Sequence, residues 1–132
     1  MKKVPFDLFG DGQYMYFNIA RLMQLEQACG EGISTIVSRN ELNLNVLTKI
    51  FMIGLAHHKK HNELWYAERI QELLDQGKSL EEDFYIPAVK AIAGSGILGK
   101  AAYYGAFPEE LTEKARQDVA DEKKIRGGGG QR

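Results

Sequence analysis

The chain has 132 residues, enough for one domain that folds without a metal ion, and its 17 basic and 18 acidic side chains give a formal net charge of -1. A balance so close to neutral argues against nucleic acid or an anionic membrane as the partner, because both attract proteins through a positive field. Cys29 is the only cysteine, which excludes an intrachain disulfide, and the N-terminus lacks the apolar run of a signal peptide, so we expect a soluble protein of the cytoplasm.

The N-terminal segment predicts a β-hairpin. Its arms, residues 4–9 and 13–17, flank a Gly-Asp-Gly turn at 10–12, whose glycines supply the positive φ angles of a tight turn. Alternation in the second arm places Tyr14 and Tyr16 on one side and two apolar residues on the other. A lone hairpin is marginal in water, so we expect it to lie against helices or to pair through its free edge with a second copy of the chain.

Asn18 is predicted to cap a helix with the sequence IARLMQLEQAC, which Gly30 ends. Glu26 lies beside the apolar stripe of this helix, where a charged residue is least expected. We favour a solvated acid there, and the alternative is a carboxylate that caps the following loop or faces a partner. A short helix over residues 33–37 follows.

Residues 43–61, NLNVLTKIFMIGLAHHKKH, predict the central helix. Its apolar run of about thirteen residues falls short of the ~20 that span a bilayer, so we expect a buried core helix. The run ends in His57, His58 and His61, which at helical spacing are the one candidate zinc site. Two neighbouring lysines oppose a cation and no cysteine pair is near, so we favour a solvated helix terminus over a metal site.

The second half continues with helical patterns. Asn62 is predicted to cap a helix that runs to about residue 76, and Ser79 with Glu82 matches a capping box. Pro87 lies inside the next pattern and predicts a kink or a restart. Aromatic residues are candidates for partner contacts, although packing is their commoner role. They are Trp65, Tyr66, Tyr103 and Tyr104.

The expected fold is mainly α (α+β), with an N-terminal β-hairpin packed on a small bundle of about five helices. We divide the chain into a helical domain at 4–107, a charged helix at 108–126 that opens at Pro108, and a disordered glycine-rich tail at 127–132. Residues 101–107 are predicted to be irregular. No sequence context sets up a nucleophile or a phosphate loop, so we assign no catalytic, cofactor or metal residue.

The order of these elements resembles the tail assembly chaperones of long-tailed phages and gene transfer agents. The likeness covers residues 4–98. It consists of the hairpin, the helix with its Leu-Glu pair and final glycine, the short Ile-Ser helix, the apolar helix with a Gly-Leu pair, the helix at 63–76 and the kinked stretch. The residues are Leu25, Glu26, Gly30, Ile33, Ser34, Gly54, Leu55, Ser95 and Gly96.

This resemblance implies a non-catalytic protein in the cytoplasm of a bacterial host that binds the tape-measure protein and helps to recruit tail-tube subunits. As partner-binding residues we name Glu26, Tyr14, Tyr16, Trp65 and Tyr66. A helical adaptor or regulator unrelated to tails is the first alternative. A metal-dependent enzyme that uses the three histidines is the second.

Overall fold

The computed structural model describes residues 1–39 and 43–130 as a mainly helical fold with an N-terminal hairpin, which confirms the α+β class. The hairpin is formed by β1 (Val4–Pro5) and β2 (Tyr14–Met15). A π-helical turn at Leu80–Tyr85 and a 3-10 turn at Pro108–Glu110 interrupt the helical part. The described residues form seven α-helices, where the sequence predicts about five: α1 (Ile19–Cys29), α2 (Ile33–Ser38), α3 (Leu44–Gly54), α4 (Glu63–Asp75), α5 (Ile86–Ala93), α6 (Lys100–Ala106) and α7 (Glu113–Gly130).

The core forms around α3, as the apolar sequence at 43–61 predicts. Phe51 of α3 is fully buried, and its ring centroid lies 5.1 Å from that of Phe6, 6.1 Å from that of Phe84 and 6.4 Å from that of Tyr66. The helix itself ends at Gly54, so the three histidines lie in the turn and loop beyond it. No helix in the described part of the chain is both long and apolar enough to cross a membrane.

The hairpin packs on the end of α3. Met15 and Phe17 are fully buried, and the Tyr16 amide donates to the Gly54 carbonyl oxygen at 3.3 Å. The strands have two residues each, shorter than the predicted 4–9 and 13–17. They are short because the chain turns early, with the Gly10 amide donating to the Asp7 carbonyl oxygen at 3.2 Å and the Gln13 amide to the Gly10 carbonyl oxygen at 3.4 Å.

Local capping signals are largely confirmed. The side chains of Asn18 and Asn62 accept the amides of Arg21 and Trp65 at 2.9 Å, at the predicted starts of α1 and α4. Pro87 lies in the first turn of α5, directly after the π-helical turn, which confirms the restart.

The predicted capping box at Ser79 is half correct. The Ser79 hydroxyl accepts the Glu82 amide at 3.3 Å, as the capping box requires. The Ser79 amide, however, donates to the Asp83 carboxylate at 2.7 Å and not to the Glu82 side chain. The wider π-helical turn, which extends to Tyr85, accompanies this exchange of partners.

The C-terminal third differs most from the sequence predictions. Residues 101–107 are not irregular, because α6 covers nearly all of them and the Glu122 carboxylate accepts the first amide of that helix, Lys100 N–H, at 3.1 Å. The last helix begins at Glu113 rather than Pro108, since Thr112 Oγ1 accepts the Ala115 amide at 3.1 Å. This helix continues over 127–130, where the sequence predicts a disordered tail, and residues 131–132 lie outside the described residues. The three-part domain division stays a prediction.

Candidate functional site

An open groove of about 640 Å³ lies between α5 and α6, and its lining is mostly apolar. The wall is formed by α5, most of the floor by α6, and one end by the 3-10 turn. Ile86 on the α5 wall is 52% exposed, so a large apolar side chain faces solvent at the edge of the groove. The lining residues are Tyr85, Ile86, Val89, Lys90, Ala93, Leu98, Ala102, Gly105, Ala106, Pro108 and Glu109.

The floor of the groove is made of small side chains. Ala102, Gly105 and Ala106 are three and four residues apart on α6, so they share one face of the helix. A Cβ atom added at Gly105 would have no neighbour within 4 Å, which shows that space above this position is free. Ala93 of α5 adds a fourth small residue to the floor. A bulky side chain of a partner can therefore reach the helix backbone.

Two opposite charges stand at the groove. Lys90 of α5 and Glu109 of the 3-10 turn both belong to its lining. The Lys90 ammonium lies 5.0 Å from the centroid of the Phe107 ring, and this cation–π contact stabilises its position. An apolar floor with charged edges fits the apolar face of an amphipathic helix, whose flanking residues carry the complementary charges.

A second apolar surface lies between α1 and α2. Three large side chains are exposed there: Ile19 at 56%, Met23 at 63% and Ile97 at 47%. They surround a depression of about 320 Å³ that also contains Glu26 and Leu22. Exposed apolar side chains that lie together are typical of contact surfaces.

Glu26 caps α2. Its Oε2 atom accepts the Ile33 amide at 2.9 Å, and no side chain of the N-cap residue Gly32 can do so. The structure therefore selects the loop-capping alternative and not the solvated acid that the sequence favours. This bond ties the end of α1 to the start of α2, whatever role Glu26 has toward a partner.

We expect Glu26→Ala to lower the free energy of unfolding by about 1 kcal/mol, because the Ile33 amide loses its partner. Glu26→Gln keeps an oxygen acceptor and is the matched control, with a smaller expected loss. Urea unfolding of the three proteins checks this. Equal losses in both variants would show that the capping bond contributes nothing.

Tyr14 and Tyr16 face the turn after α3, and Tyr16 also faces the first turn of α1. The Tyr16 ring lies under the Arg21 guanidinium, 3.8 Å from the ring centroid, and the Tyr14 ring lies 4.5 Å from that of His57. Both tyrosines are half-buried. Their role toward a partner stays a prediction, and within the chain they hold the hairpin on the helices.

Trp65 and Tyr66 belong to the aromatic core. Tyr66 is 1% exposed, and burial raises the pKa of its hydroxyl, so a partner does not reach this ring in the present conformation. The Trp65 ring is half-buried and stacks on His61 with centroids 3.6 Å apart and planes 3° apart.

The structure brings two of the three histidines together, with the ring centroids of His57 and His58 4.0 Å apart, and places His61 elsewhere. His57 Nδ1 lies 3.0 Å from Arg21 Nη1, His58 Nε2 lies 3.0 Å from the Tyr14 amide nitrogen, and His61 stacks on Trp65. Among the described residues, no group of three His, Cys, Asp or Glu side chains is placed to hold a metal ion. The structure thus does not assemble the zinc site that we weighed from the sequence.

The expected free hairpin edge is also occupied. The outward-facing amide of Tyr14 is bonded to His58, and that of Tyr16 to Gly54, so the turn after α3 covers the outer side of β2. On β1, Pro5 has no N–H to donate. The outer side of β2 is therefore not free to pair with a second copy, and pairing through β1 stays a prediction.

Sequence reasoning missed the groove and the role of Arg21. The groove depends on how α5 and α6 meet, and we predicted residues 101–107 to be irregular. The spacing of Ala102, Gly105 and Ala106 was the one available signal, because small residues three and four apart mark a helix face that another helix can approach. Comparison with protein families, curated proteins and solved structures gives no match to this chain.

Proposed function

We propose that this protein is a non-catalytic tail assembly chaperone of a long-tailed phage or prophage, which binds an amphipathic helix of the tape-measure protein in the α5–α6 groove. The groove is the observation that carries the proposal. It offers an apolar floor of small residues, an exposed Ile86 and charged edges at Lys90 and Glu109. The order of elements over residues 4–98 supports the same family.

The chaperone activity follows from what such a groove does to a partner. A long helical protein exposes apolar stripes before it assembles, and these stripes pair with one another and aggregate. A groove that covers one stripe removes apolar surface from water, at roughly 25 cal/mol for each Å². Binding would therefore keep the tape-measure protein soluble in the bacterial cytoplasm while the chaperone helps to recruit tail-tube subunits.

The proposal excludes catalysis and needs no cofactor. The polar groups of the groove are few, and its charged members, Lys90 and Glu109, fix the orientation of a helix and have no assigned proton-transfer role. Nucleic acid and membrane are not among the proposed partners, in line with the formal net charge of -1.

Ala102→Arg is expected to weaken binding of a tape-measure fragment at least tenfold, because a long charged side chain would fill the floor of the groove. The matched control is Ala67→Arg, which makes the same change at an exposed position of α4. Co-expression with the fragment, followed by pull-down and a measurement of the soluble fraction, checks the effect.

Wild type and Ala67→Arg should both keep the fragment soluble and bound. Equal binding by Ala102→Arg would place the contact outside the groove. A tape-measure fragment that stays insoluble and unbound beside the wild-type protein would overturn the chaperone function itself. Binding of unrelated amphipathic helices with equal affinity would favour the helical adaptor.

A further inference from the structure

His57 lies where the hairpin, α1 and the end of α3 meet. Its Nδ1 atom is 3.0 Å from Arg21 Nη1, and the same Nη1 atom donates to the Gly54 carbonyl oxygen at 3.0 Å. The His57 ring also contacts two hairpin rings, with centroids 4.5 Å from Tyr14 and 4.7 Å from Tyr16. One imidazole therefore contacts both α1 and the second arm of the hairpin.

This geometry requires a neutral imidazole. Arginine has donors and no acceptor, so His57 Nδ1 must present a lone pair to Arg21, and the ring proton lies on Nε2. His57 Nε2 is buried and has no hydrogen-bond partner. A second proton would have to replace the lone pair that Arg21 uses, and would place two cations in contact.

The Tyr14 backbone favours a positive charge on His57, but burial and the charged groups nearby oppose that charge more strongly. Arg21 faces it from α1, Lys3 from the strand segment at the N-terminus, and His58 from the same turn, with ring centroids 4.0 Å apart. From β2 the uncharged phenols of Tyr14 and Tyr16 face the ring. Burial, His58 and Arg21 together lower the pKa of His57 below its ordinary value near 6.5.

We infer that the contact of His57 with Arg21 is an acid-sensitive latch, which holds the N-terminal hairpin on the helical body at neutral pH and releases it in acid. The latch consists of His57, Arg21, Tyr16 and Gly54. When His57 gains a proton, Arg21 Nη1 loses one of its three acceptors, and the new positive charge on the imidazole repels the guanidinium from the two that remain, the carbonyl oxygens of Gly54 and Tyr16. The Gly54 carbonyl then keeps only the Tyr16 amide at 3.3 Å, and the hairpin edge opens more often.

The direction of the pH dependence follows from linkage. The folded pKa of His57 is lowered, so the unfolded or open state binds the proton more tightly. Neutral His57 stabilises the closed hairpin fully above about pH 6.5, which is the pKa of histidine in the unfolded chain. This stabilisation is lost as pH falls from there toward the lower pKa of His57 in the folded protein. Within this window the equilibrium constant for opening of the hairpin should increase up to about tenfold for each pH unit that the pH is lowered.

Native-state hydrogen exchange at the Tyr16 amide tests the latch between pH 7.5 and 5.0. His57→Asn keeps an oxygen acceptor for Arg21 and cannot titrate, while His61→Asn is the matched control outside the contact. At each pH, the ratio of the wild-type to the His57→Asn opening constant removes the intrinsic pH effect on exchange. We expect this ratio to rise in acid at the Tyr16 amide and to stay constant at α4 amides such as that of Ile70. When His61→Asn takes the place of wild type in the ratio, the same rise at Tyr16 is expected.

A ratio that stays flat at Tyr16 would overturn the latch. NMR titration of the His57 ring in the wild-type protein is a second test, and it does not depend on the folding of the variant. A midpoint below 6.5 is expected, and a midpoint at or above 6.5 would overturn the inference.

Discussion

Phe51→Ala is expected to lower the free energy of unfolding by about 3–5 kcal/mol, the largest effect of any single truncation that we predict. The Phe51 ring of α3 is fully buried, and it contacts Phe6 of the N-terminal arm and Phe84 of the π-helical turn. Its removal leaves a cavity that rigid aromatic neighbours cannot fill. Since domains of this size are stable by only about 5–15 kcal/mol, this loss would be a large fraction of the total free energy of unfolding.

Leu44→Ala is the matched control for Phe51→Ala. Leu44 lies in the first turn of the same helix, and its side chain is 56% exposed, so the loss should stay below about 1 kcal/mol. Urea unfolding followed by circular dichroism compares the two. Similar losses in both variants would show that α3 is not the centre of the core.

Gly54→Ala is expected to destabilise the protein by about 1–3 kcal/mol, against the usual preference of helices for alanine. A Cβ atom at Gly54 would lie 2.6 Å from Met15 Cγ and 3.0 Å from Phe17 Cε2. Both of these side chains are fully buried, and the clash involves a ring and the middle of a side chain, so neither neighbour can move aside freely. The hairpin would be pushed off the end of α3.

Gly105→Ala provides the opposite expectation with the same chemical change. Gly105 lies inside α6, and an added Cβ has no neighbour within 4 Å. Alanine should therefore leave the free energy of unfolding unchanged or raise it by about 0.5–1 kcal/mol. Thermal unfolding of both variants checks the pair. A Gly54→Ala protein as stable as Gly105→Ala would contradict the tight contact between hairpin and helix.

The elements that the sequence predicts well are those with local signals. The start of α1 follows from Asn18, whose side chain needs only an amide three residues away, and its end follows from Gly30, which has φ 70°. The burial of Phe51 follows from the periodic apolar face of α3. Such signals lie within one or two helical turns, so a single sequence contains them in full.

The elements that the sequence predicts poorly depend on distant partners. The first amide of α6 is accepted by Glu122, which lies 22 residues further along the chain, and no local pattern contains that bond. The capping role of Glu26 also depends on a partner outside its own helix. Its carboxylate accepts the Ile33 amide only because the loop at 30–32 brings Ile33 back to the end of α1. Arg21 has an ordinary position on a solvated helix face until the hairpin and the end of α3 reach it.

The groove combines both cases. Its small residues, Ala102 and Gly105, are visible in the sequence, but the wall formed by Ile86 comes from a separate helix. The resemblance to tail assembly chaperones ends at residue 98, so it covers the α5 wall and leaves the α6 floor without a counterpart. A partner-binding assignment therefore depends on the three-dimensional arrangement, and only a binding measurement can test it.

The most direct test of the α5–α6 groove is an NMR titration of the labelled protein with a helical tape-measure peptide. The groove predicts that the largest chemical-shift changes lie at Ile86, Val89, Ala102 and Gly105, and that Ala102→Arg abolishes them while Ala67→Arg does not. Saturable changes confined to Ile19, Met23 and Ile97, or no change at all, would contradict the groove as the binding surface.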